Sequence, residues 1–85
     1  MNYEQPIPVT FELNGKTYNG FLTKPYGAGN IWHLSANENR DGKKGVFHCG
    51  QLVVYMNDEW RMTNHKNDLL HLSDYFRDVV LNWYE

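Results

Sequence analysis

Residues 9–22, VTFELNGKTYNGFL, constrain the fold more than any other stretch of this chain. Val9, Phe11 and Leu13 alternate with Thr10 and Glu12, the period of a strand with one buried face. Asn14-Gly15 follows, and both residue types accept the positive φ that a type I′ turn needs at its two central positions. A two-residue loop sets Leu13 opposite Lys16, Phe11 opposite Tyr18 and Val9 opposite Gly20. The aromatic pair is then a stabilising cross-strand contact. Gly20 marks either a bulge or a place where a neighbour's ring needs room.

The chain downstream reads as further strands. Pro25 ends the second strand, and residues 25–30, PYGAGN, form a loop. Their glycines lack the spacing and the following helix of a dinucleotide fingerprint. Residues 31–36, IWHLSA, form a short third strand, with Trp32, Leu34 and Ala36 on one face and Ile31, His33 and Ser35 on the other. Residues 37–45, NENRDGKKG, carry five charges in nine residues. They are expected to form a solvated hairpin loop with Asp41-Gly42 at its tip. In residues 46–56, VFHCGQLVVYM, Gly50 marks either a bulge in one long strand or a break between two short ones. Asn57-Asp58 reads as a two-residue turn, which places Tyr55 opposite Trp60 and Val53 opposite Met62.

After Asn64 the period changes. Leu69, Leu72, Phe76, Val79, Val80 and Trp83 recur at helical spacing. The expected helix runs over about 67–84. Asn64 or Asn67 is its cap, Asp68 lies in its first turn, and Ser73 is an alternative cap. The fold class is therefore α+β: an antiparallel sheet of four to five strands, built of hairpins over about 7–63, with one C-terminal helix packed on one face.

Length and charge bound the function. Eighty-five residues make one domain, 1–85. Eight basic residues against ten acidic ones, a net charge of −2, lack the basic excess of a non-specific nucleic-acid binder. No apolar run approaches the length of a membrane helix, and no basic-then-apolar leader opens the sequence, so a cytoplasmic protein with no membrane partner is expected. The single cysteine excludes an intramolecular disulfide and fits a reducing compartment.

His48 and Cys49 are adjacent, a pairing that raises the question of thiol chemistry. In a regular strand neighbouring side chains diverge, which opposes a bonded Cys–His pair. A buried, inert Cys49 is the expectation. Four histidines, 33, 48, 65 and 71, lack the local spacing of a zinc site, so neither metal nor cofactor is implied. No catalytic residue is assigned, and a small thiol- or histidine-dependent enzyme stands as a minor alternative.

Nine tyrosines and tryptophans exceed what a small core needs. Such side chains are common at protein interfaces. The expected function is a small non-enzymatic interaction or regulatory module, acting through an aromatic-bearing sheet face. Its candidate surface is Tyr18, Tyr26, Trp32 and Arg61, with Lys43 and Lys44. The partner is a protein or a second copy, since the uncharged IWHLSA segment, placed at a sheet edge, would favour a homodimer. The alternative is single-stranded nucleic acid stacked on exposed aromatics. A basic rim around the aromatics favours nucleic acid, and a mixed rim with an apolar centre favours protein.

Overall fold

The computed structural model describes residues 5–25, 29–40 and 42–84, without the side chains of residues 39, 40 and 43. Strands β1 (Ile7–Leu13) and β2 (Lys16–Thr23) pair in the predicted register, with Leu13 on Lys16, Phe11 on Tyr18 and Val9 on Gly20. Asn14 and Gly15 take φ of 55° and 77°, the left-handed values whose twist matches that of the flanking strands. Strands β3 (Ile31–Arg40), β4 (Lys43–Val54) and β5 (Trp60–Thr63) follow. The five are antiparallel, in the spatial order β1-β2-β3-β4-β5. A 3₁₀ turn (Leu70–Leu72) leads into helix α1 (Ser73–Trp83), which completes the α+β arrangement.

The side chains facing α1 make the core. Ile7, Val9 and Phe11 of β1 meet Leu22 of β2, Leu34 of β3, Leu52 of β4 and Met62 of β5, all buried. Phe76 and Val80 cover them from α1, and Leu69 from the segment before it. Phe76 packs edge-on against Phe11, with ring centroids 5.7 Å apart. Burying one such ring contributes about 1.5–3 kcal/mol, so α1 is held by a few large side chains rather than by its length.

Gly20 serves neither a bulge nor a ring. It lies opposite Ala36, and a Cβ there would stand 2.2 Å from the Ser35 carbonyl oxygen. Glycine is required because the β3 backbone itself comes close.

Four expectations are corrected. Residues 37–45 are not a solvated loop: β3 and β4 stay paired as far as Arg40 and Lys43. Charge signals solvation, not irregularity, and this end of the hairpin runs past the last β2–β3 pair, Gly20 with Ala36. Second, the β4–β5 register differs by one residue. Val54 faces Trp60 and Leu52 faces Met62. The reason is a three-residue loop, Met56–Asp58, closed by bonds from the Asp58 N–H to the Tyr55 carbonyl and from the Tyr55 N–H to the Glu59 carbonyl. Asp58 occupies the left-handed position that such loops need, at φ 61°. Third, IWHLSA is not an edge but the central strand, flanked by β2 and β4, which removes the premise for edge-to-edge dimerisation. Fourth, α1 starts at Ser73 rather than near residue 67. Asn67 is left-handed at φ 55°, and the 3₁₀ turn shifts the helical phase. Trp83, expected in the apolar stripe with Phe76 and Val80, lies in the last turn of α1 and is exposed, beyond the part of the helix that covers the core.

Candidate functional site

The β3–β4 pair contains one irregularity, and it decides where the histidines point. Leu34 pairs with Gly50, but Ser35 pairs with His48, so Cys49 is an extra residue on β4. This is the bulge anticipated near Gly50, in one continuous strand. Had the ladder run on unbroken from Leu34–Gly50, Ser35 would face Cys49 and Ala36 would face His48. Ala36 is fully buried, so His48 would be aimed into the core. The one-residue shift turns it to the other face of the sheet. There it meets His33: His33 Nδ1 lies 3.3 Å from His48 Nε2, and the ring centroids are 5.5 Å apart. Pro6, Thr23 and Ser35 line the same open depression of about 450 Å³. The sequence placed His33 on that face; the partner depended on the bulge.

Cys49 itself is turned away from catalysis. It packs against the core cluster, with its sulfur 3.8 Å from the Phe47 carbonyl oxygen. Burial, with a smaller contribution from the negative charge of Asp68, pushes its thiol up to about 11. A nucleophilic cysteine needs the opposite shift. Among the described residues no group of three or more His, Cys, Asp and Glu side chains converges as a metal cluster.

The aromatic surplus is mostly spent on the helix side. Trp32 is 7% exposed and stacks on Trp60 at 5.5 Å between centroids. Its expected place on an exposed face is therefore corrected: it sits on the face with Leu34 and Ala36, under the ammonium of Lys24 at 4.8 Å. Tyr18 is half-buried, stacked on Phe11 and edge-on to Phe47, with Lys16 over its ring. Arg61 lies on the opposite face beside Val53, paired with Glu59 and 5.8 Å from the Tyr55 ring centroid. Lys44 is exposed near the β3–β4 turn. Tyr26 lies outside the described residues, as does the side chain of Lys43. Tyr18, Trp32 and Arg61 therefore do not form one surface.

The sheet face away from α1 carries a different set. Pro8, Phe21, Ser35 and His48 make one row across β1–β4, and Thr23, His33, Gln51 and Thr63 make the next across β2–β5. Ile31, Val53 and Arg61 follow. Phe21, Ile31 and Val53 are half-buried, and Tyr55 and Val46 are exposed. The face is polar, with two apolar islands separated by the histidine row, and its charges are of both signs.

Together these features define a five-stranded antiparallel meander closed on one side by a C-terminal helix and open on the other. No protein-family model matches the chain, and neither curated proteins nor solved structures include a match to it.

Proposed function

We propose that the chain is a non-enzymatic interaction module that binds a protein partner through the open face of its sheet. The observation that carries this reading is the set Phe21, Ile31 and Val53, apolar side chains on the face that α1 does not cover. Apolar islands inside a polar rim suit protein recognition, where small well-packed anchors supply most of the affinity. The charges around them favour the same partner class. On this face Arg61 is engaged by Glu59, and Lys44 lies beyond Val46 toward the β3–β4 turn. A stacking nucleic-acid site needs aromatics and free cations together, whereas Tyr18 and Trp32 pack on the helix side.

A partner other than a second copy fits the sheet edges better. The β5 edge donates the Met62 N–H to Ser73, and the β1 edge offers the Thr10 carbonyl to Tyr75. Self-pairing along either edge would have to break those bonds. The absence among the described residues of any helix long and apolar enough to cross a membrane is compatible with a protein partner.

The test is affinity capture with the wild-type chain and with a Phe21→Thr/Val53→Thr variant, both checked for folding by circular dichroism. A partner retained by the wild type and lost by the variant supports the reading. Equal retention by both, or no retained protein beside a light-scattering dimer, overturns it.

A further inference from the structure

The His33–His48 pair has a geometry that a simple hydrogen bond does not require. Two imidazole nitrogens bound at 2.0–2.1 Å to one tetrahedral ion stand about 3.3–3.4 Å apart. The facing nitrogens here, Nδ1 of His33 and Nε2 of His48, are 3.3 Å apart. The rings are tilted by 55° rather than stacked, so neither ring lies flat over its neighbour. We propose that His33 and His48 form a two-imidazole chelate for a divalent ion of the zinc class on the open sheet face.

The scaffold supports the pair. Both residues sit on adjacent interior strands, β3 and β4, which hold ligands more firmly than loops do. The bulge at Cys49 places His48 beside His33, and Gly50 admits that geometry. A Cβ at Gly50 would stand 2.6 Å from the Thr63 carbonyl oxygen and 2.9 Å from the Asn64 Cβ. The depression is open, so water or a donor from outside occupies the remaining coordination positions, with the Ser35 hydroxyl on the same wall. Cys49 is not assigned as a ligand: it is half-buried against the core cluster, with its sulfur on the Phe47 carbonyl oxygen.

Binding requires a change of tautomer. In the hydrogen-bonded pair one facing nitrogen carries the proton and the other accepts it. Both must present lone pairs to the ion, so that proton moves to the outer nitrogen of its own ring. Imidazole ligands select borderline ions such as Zn²⁺, Ni²⁺ and Cu²⁺ over Mg²⁺ and Ca²⁺. The site is thus specific for class rather than for one element.

The probe is zinc chloride added to the full chain without an affinity tag, followed by calorimetry and by imidazole NMR. One ion binds per chain, and the ring signals of His33 and His48 move while those of the exposed His65 and His71 stay. His33→Asn and His48→Asn each weaken binding by at least about tenfold, and His65→Asn changes it by less than about twofold. Magnesium chloride moves none of these signals. Wild-type affinity retained in His33→Asn or His48→Asn overturns the proposal. So does saturation only at millimolar zinc, or movement confined to His65 and His71. The wild-type NMR shifts decide the matter even if a variant does not fold.

Discussion

Ser73 Oγ accepts the backbone N–H of Met62 at 2.8 Å and donates to the Leu70 carbonyl at 2.6 Å. One hydroxyl therefore fastens the start of α1 to the outer edge of β5. Ser73 is buried, so neither bond is exchanged freely with water. A serine suggested by sequence as a helix cap instead closes a sheet edge.

Ser73→Ala is expected to cost about 1–3 kcal/mol, since it strands a buried N–H and removes a donor from a carbonyl. Urea denaturation with an unchanged m value checks this. A loss below a few tenths of a kcal/mol would mean that apolar contacts alone seat the helix.

Gly20 and Gly45 should respond in opposite ways to the same added methyl. At Gly20 the new Cβ meets the Ser35 carbonyl oxygen at 2.2 Å, and the obstacle is backbone. Gly20→Ala is expected to cost about 1–3 kcal/mol or more. At Gly45 nothing lies within 4 Å of the new Cβ. Gly45→Ala is expected to be neutral or to stabilise by up to about 1 kcal/mol, through a less flexible unfolded chain. Parallel thermal melts of the two variants separate close packing from chain entropy.

Asp58 holds a left-handed conformation without being glycine. Asp58→Gly relieves that strain and is expected to raise stability by up to about 1 kcal/mol. A fall in stability would show that the aspartate side chain contributes more to the loop than its backbone costs.

Cys49 sets a pH dependence at the alkaline end. Burial raises its thiol from 9.0 to about 11 in the folded chain. The folded state therefore holds the proton more tightly than the unfolded one. Its contribution is fully present below pH 9 and is lost as the pH rises toward 11. Cys49→Ala should flatten that part of the stability profile. At neutral pH an alkylating reagent should modify the native thiol far more slowly than the thiol in urea, as read by mass spectrometry.

The first hairpin was legible to the residue, because Asn14-Gly15 fixes both turn type and register. The β4–β5 hairpin is misread by one residue. Asn57-Asp58 resembles a two-residue turn, but Met56 joins the loop, and the slip exchanges the cross-strand partners of Trp60 and Met62. The β3–β4 turn region was misread because its charges suit a solvated two-stranded ribbon as well as a loop. Phe76 and Val80 were read correctly as helix core, whereas Trp83 was not. A periodic stripe shows which residues share a face, not how far the sheet extends beneath them. The histidine pair was hidden for a different reason. A bulge shifts the parity of every residue before it, and sequence gives its neighbourhood but not which residue is the extra one.

The meander also has a consequence for synthesis. Spatial order follows chain order, so each strand leaving the ribosome finds its partner already made, with only short loops to close. The helix that covers the apolar face comes after all five strands. Until it arrives, Leu22, Leu34 and Leu52 lack their cover, and the β5 edge lacks Ser73. The nascent sheet is thus most prone to sticking in the interval between translation of Thr63 and docking of Phe76, when a chaperone has most to protect.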